Sequence, residues 1–95
     1  MTWGSQFART GNYRLNVWRF LPNGRWSYDI WWDTEDATTT VGKGSETYDD
    51  AFHAREAAVL HLANILPKAQ SERLLASQSE LVWELYSDPR QHHAR

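Results

Sequence analysis

The chain alternates before it turns helical. Residues 12–21, "NYRLNVWRFL", set Tyr13, Leu15 and Val17 against Arg14, Asn16 and Trp18. Residues 25–33, "RWSYDIWWD", set Trp26, Tyr28, Ile30 and Trp32 against Ser27, Asp29 and Trp31. A period of two sends each set to one face of a strand, and "PNG" between the runs supplies a turn, so a β-hairpin is predicted. Pro22 fixes its own φ, and Gly24 tolerates a positive one. After the polar turn "DTEDAT", the β-branched run "TTTVGKGS" at 38–45 predicts a third strand ending at Gly42 or Gly44.

Register decides where the tryptophans go. If Leu21 faces Trp26, then Val17 faces Ile30, Leu15 faces Trp32 and Arg19 faces Tyr28. The strong apolar residues then share one face. The other face pairs Phe20 with Ser27, Trp18 with Asp29, Asn16 with Trp31, and Arg14 with Asp33 as an ion pair. A slip by one residue would bring Arg14 and Asn16 beside Trp32 and Ile30, a costly burial of polar groups. The preferred register predicts Trp26 and Trp32 in the core with Tyr28 and Ile30. It makes Trp18 and Trp31 diagonal neighbours on the outer face.

The period then lengthens. In "TYDDAFHAREAAVLHLANILP", Ala51, Ala54, Ala58, Leu62 and Ile65 fall on one helical stripe, flanked by Val59 and Leu66. Thr47 followed by Asp50 resembles a capping box, Asp49 and Asp50 suit the positive end of a helix, and Pro67 bounds the other end. A second helix over 70–87 is predicted from Leu74, Leu81 and Leu85, with Leu75, Val82 and Tyr86 beside them and room for a break near Ser77. Residues 1–11 read as a flexible lead-in, 12–87 as a single α+β domain and 88–95 as a disordered tail. The expected fold is α+β: a three-stranded antiparallel sheet packed on one α-helix, followed by a second α-helix (β-β-β-α-α).

Composition narrows the class. A chain of 95 residues holds one core, and 41% hydrophobic residues are enough to fill it. There is no cysteine, hence no disulfide and no zinc–thiolate site. No apolar run approaches the roughly 20 residues that span a bilayer, and the start lacks the apolar stretch of a secretory signal. A soluble, cytoplasmic protein without membrane association is expected. Charge is unevenly spread. Arg9, Arg14, Arg19 and Arg25 meet no acid within residues 1–28, whereas residues 29–56 carry eight acids against Lys43 and Arg55. Adjacent strands would bring the two blocks together and neutralise them.

Candidate chemistry is thin. "DTED" offers carboxylates without the central glycine of a calcium loop, and His92 and His93 lack a third ligand. His53 and His61 are eight residues apart on the first helix, about two turns, too far to act together. The serines sit in no nucleophile motif. "GKGS" precedes a helix but lacks the spacing of a phosphate-binding loop, and Glu46, Asp49 and Asp50 would repel an anion. No enzyme, metal, cofactor or small-molecule substrate is expected.

Three strands, the "GKGS" turn and "AFHAREAAVLHL" loosely resemble the last part of a double-stranded-RNA-binding domain. They also resemble the three-strand-plus-helix unit of AP2-type DNA-binding domains. The resemblance covers residues 13–66 at most. Asp49 and Asp50 stand where the RNA-binding family has a lysine pair, and residues 1–12 offer no counterpart to its first helix. The AP2 resemblance implies readout by the outer face, where Arg14, Asn16, Trp18 and Trp31 share space with Asp29 and Asp33. Neither family is assigned.

The outer face remains the candidate site. Arg14, Asn16, Trp18, Phe20 and Trp31 form a group rich in the residue types that anchor protein contacts. The leading expectation is a non-enzymatic interaction module, an inhibitor or adaptor of the kind small bacterial or phage proteins supply. It would bind a protein partner or form a homodimer through this face. The alternative is a nucleic-acid-binding protein using Arg14, Arg19, Arg25 and Lys43. Either reading requires that the second helix, or Trp3 and Phe7, leave the face uncovered.

Overall fold

Strand β1 spans Gln6–Thr10, β2 Tyr13–Arg19, β3 Trp26–Asp33 and β4 Thr38–Lys43. Helices α1, Ala51–Ile65, and α2, Lys68–Ala76, follow, then a 3₁₀ turn at Gln78–Glu80 and a short β5, Glu84–Leu85. The computed structural model describes residues 5–20 and 23–85. The α+β class and the antiparallel sheet agree with the sequence, but the sheet has five strands in the order β4-β3-β2-β1-β5. Both extra strands lie on the β1 side.

β1 occupies part of the expected lead-in. Its alternation is hard to read because its buried position holds only Ala8, while Phe7 and Arg9 face the other way. Gly11, with φ +59°, turns the chain back into β2. The second helix also differs from expectation. It ends at Ala76, where Ser77 caps the last turn through its backbone N–H to Arg73 and Leu74 carbonyls. Leu81 and Leu85 keep helical spacing, yet the chain is extended here, and Leu85 pairs with Gln6. The tail 88–95 and Leu21 lie outside the described residues.

The hairpin register is two residues from the expected one. Leu15 faces Ile30, Val17 faces Tyr28, Arg19 faces Trp26 and Tyr13 faces Trp32. A slip of two preserves parity, so every side chain keeps its predicted face. The loop accounts for the shift. It is closed by hydrogen bonds from Phe20 N–H to the Arg25 carbonyl and from Gly24 N–H to the Phe20 carbonyl, at 2.8 and 2.7 Å. Gly24 has φ +70°, which favours glycine. β4 pairs with β3 through a register break opposite Ile30 and Trp31, and ends at Lys43, between the two glycines proposed for its end.

The helices sit on one face. Leu15, Val17, Ile30, Ala54, Ala58 and Leu62 are fully buried there, with Tyr28, Val59, Ala63 and Leu74 nearly so. Alanines at 54 and 58 let α1 approach the sheet closely. The Asp50 carboxylate caps α1 by accepting from His53 N–H at 2.9 Å; the expected Thr47 instead accepts from Arg25 Nε at 2.6 Å. Ile65, placed on the buried stripe by periodicity, is 41% exposed. Trp26 and Trp32 are half-buried at the rim rather than central. Trp26 packs against the core cluster and is tied by reciprocal backbone bonds to Tyr48, both 2.8 Å. Trp32 lies edge-on to Tyr13, with ring centroids 4.7 Å apart.

Candidate functional site

The opposite face of the sheet carries what β-alternation excludes from the core. β1 contributes Phe7 and Arg9, β2 Arg14, Asn16 and Trp18, and β3 Ser27, Asp29, Trp31 and Asp33. Both helices pack on the other side, α1 on β2 and β3 and α2 on α1. Among the described residues, no helix covers this face. Phe7 is part of the face, within β1, and Trp3 lies outside the described residues.

The corrected register changes the layout. Trp18 faces Ser27, Asn16 faces Asp29 and Arg14 faces Trp31. Trp18 and Trp31 are therefore not diagonal neighbours. The Asn16–Asp29 pair lies between them, and the two positions are about 13 Å apart along the strands. Their large rings still border one shallow depression of ≈ 180 Å³, with Ser5, Asn16, Val17 and Asp29. Phe20, 51% exposed, stands at the end of β2. All five residues proposed from sequence, Arg14, Asn16, Trp18, Phe20 and Trp31, lie on β2, β3 or the loop that leaves β2.

Charges on the face are matched. Arg14 lies over the Trp31 ring, 4.5 Å from its centroid, and its Nη2 donates to Asp33 Oδ1 at 3.1 Å. Its Nε is 3.0 Å from Asp33 Oδ2, in ionic contact but not aligned for a hydrogen bond. Arg9 Nη1 and Thr38 Oγ1 also donate to Asp33, at 3.1 and 2.7 Å. The Arg14–Asp33 ion pair anticipated from sequence forms across the strands, although the two residues are not directly opposed. Asn16 Nδ2 donates to Asp29 Oδ1 at 2.9 Å, and Lys43 faces Asp29 from β4. Sequence reasoning missed Arg9 as a site residue; Phe7, considered from sequence as a cover for this face, lies on it within β1, its ring under the Arg9 guanidinium at 5.6 Å.

The two carboxyls titrate in opposite senses. Burial pushes Asp29 up, against hydrogen bonds from Asn16 and Trp31 and the charges of Lys43 and Arg14. At Asp33 burial also works upward, but hydrogen bonds from Thr38, Arg14 and Arg9 and the Arg14 charge outweigh it and hold the group low. A carboxyl held low stabilises the fold above its unfolded-state value, and that stability is lost as pH falls through the folded value. One held high costs stability while ionised and is relieved as pH falls through its raised value. Asp33→Asn is expected to destabilise the protein at neutral pH. Asp29→Asn, which keeps an oxygen for Asn16, is expected to stabilise it. Urea unfolding from neutral to acid pH should show both differences fading, that of Asp29 at the higher pH. Parallel profiles of the same sign would contradict this electrostatic layout.

Of the alternative set, Arg14 is paired as described, and Arg25 Nη1 donates to Asp49 at 2.6 Å. Arg19 and Lys43 are exposed at strand ends. The histidines stand apart. His53 Nδ1 is 2.7 Å from Asp50 on the solvent side of α1. His61 Nδ1 is 2.7 Å from the Tyr28 hydroxyl at the helix–sheet contact. The Tyr28 hydroxyl is pushed up by burial first, then by Tyr48 and Glu46. At Gly42 a Cβ would come within 3.1 Å of His61 Nε2 and 3.2 Å of Ile30 Cδ1, a tight fit between β4 and α1. Among the described residues, no three histidine or carboxylate groups converge as metal ligands, and no helix is long and apolar enough to cross a membrane. No family model matches the chain, and comparison with curated proteins and with solved structures finds no match.

Proposed function

We propose that this chain is a non-enzymatic interaction module that binds a protein partner, or a second copy of itself, through the outer face of the sheet. The observation that carries the reading is the placement of both helices on one side. Trp18, Trp31 and Phe7 are left on the other side, among the described residues without a helix over them, and Phe20 is exposed in the loop just beyond β2. Two large rings flanking the hydrogen-bonded Asn16–Asp29 pair, with Arg14 stacked on one of them, combine the residue types that anchor protein contacts. An inhibitor or adaptor role fits a domain with so little other chemistry. Nucleic-acid binding has less support, because Arg14 and Arg25 are already engaged by Asp33 and Asp49.

Acrylamide quenching of tryptophan fluorescence tests the premise, with mass from light scattering alongside. In a monomer, Trp18→Phe and Trp31→Phe should each remove a readily quenched part of the emission. A dimer with both rings shielded would identify self-association as the use of the face. Shielding of both rings in a monomer would overturn the assignment.

A further inference from the structure

The half-buried Trp32 borders a second feature, away from the outer face. A cleft of ≈ 470 Å³ opens where the β1–β2 turn, the end of β3 and α2 meet. Its apolar walls are Tyr13, Trp32, Leu66 and Leu74, and Asn12 and Arg73 add polar groups. This volume lies within the range of about 300–1,000 Å³ typical of small-molecule sites, which combine apolar walls with a few polar groups. Arg73 is the one charged residue among the described residues lining it. Its backbone carbonyl is held by Ser77, through N–H at 3.1 Å and Oγ at 2.8 Å. Among the described residues, its guanidinium has no hydrogen-bond or ion-pair partner. An exposed guanidinium with free donors and, among the described residues, no carboxylate lining the same cleft complements an anion. The Tyr13–Trp32 pair offers aromatic surface beside it, with the rings at 67° to each other.

We propose that this cleft binds a small organic anion: a flat apolar body against Trp32 and Tyr13, and one carboxylate or sulfonate on Arg73. The site is independent of the protein-binding face, since Trp32 and Trp31 point to opposite sides of β3. A guanidinium–anion hydrogen bond is stronger than a neutral one, so charge selectivity is its signature.

The test uses the full chain and two naphthalene probes, 8-anilinonaphthalene-1-sulfonate and the uncharged N-phenyl-1-naphthylamine. The sulfonate should saturate at one site per chain. Amide NMR shifts should concentrate at Gly11, Asn12 and the Trp32 indole. Arg73→Gln, on an exposed helix position, should weaken the sulfonate by about tenfold and the uncharged probe by less than about twofold. The variant's urea midpoint verifies that its fold is unchanged. Absence of saturable binding overturns the proposal, as does equal weakening of both probes. Shifts centred on Trp18 and Trp31 also overturn it, by placing the probe on the outer face.

Discussion

Replacing Leu62 by alanine is expected to remove a large part of the stability of this domain. Leu62 is among the largest fully buried side chains, and it stands where α1 meets Leu15 and Ile30 of the central strands. Truncation removes apolar contact and leaves a cavity that a sheet held by strands on both sides cannot close. Such changes cost about 2–5 kcal/mol, against a total of roughly 5–15 kcal/mol for a small domain. Urea denaturation should show a midpoint lower by about 1–3 M at unchanged slope. Ile65→Ala is the informative control. Periodicity places Ile65 on the same stripe, but it is 41% exposed. Its loss should cost less than about 1 kcal/mol. Equal effects at the two positions would mean that α1 is rotated from the orientation described here.

The second large effect concerns binding. Trp18→Ala and Trp31→Ala should each weaken partner or self-association by about 2 kcal/mol or more, roughly thirtyfold, as central tryptophans do in protein interfaces. Trp31 should have the larger effect on binding, because Arg14 is stacked on it and loses its platform as well. The core should survive, because Leu15, Val17, Tyr28 and Ile30 occupy the other side of the same strands. Affinity is measured by titration against the partner that the wild-type chain retains, or by the concentration dependence of mass if the chain self-associates. Salt should have little effect on an interface centred on rings, whereas binding through phosphates would weaken steeply. Unaltered affinity in the double variant would place the interface elsewhere.

Alternation carries face information but not register, and this protein separates the two. Leu15, Val17, Tyr28 and Ile30 point inward as their pattern dictates, and Arg14, Asn16, Trp18 and Trp31 point outward. Which residues oppose each other depended on the Phe20–Arg25 loop, where "PNG" suggests a turn without fixing its closing pair. The distance between Trp18 and Trp31 followed from that choice. β1 was illegible for another reason. An edge-side strand with Ala8 at its buried centre gains from backbone pairing, and backbone bonds leave no trace in side-chain hydropathy. Residues 81–85 carried two compatible periods. Leu81 and Leu85 fit a helix, whereas Val82 and Trp83 suit extended chain, and pairing of Gln6 and Phe7 with Leu85 and Glu84 decided between them. A cleft such as that at Trp32 has no local signal, because the turn, the strand end and α2 meet there only in the folded chain.

The sheet order also sets the sequence in which the fold comes apart. β2 and β3 are bonded on both sides and carry the fully buried Leu15, Val17 and Ile30, so their opening amounts to global unfolding. β4 is bonded on one side and contains no buried residue. Peeling it away breaks hydrogen bonds and the Thr38 contact to Asp33 but uncovers little apolar surface. Amide exchange in β4 is therefore expected to be faster than in β2 and β3, and to report local opening of this margin rather than global unfolding.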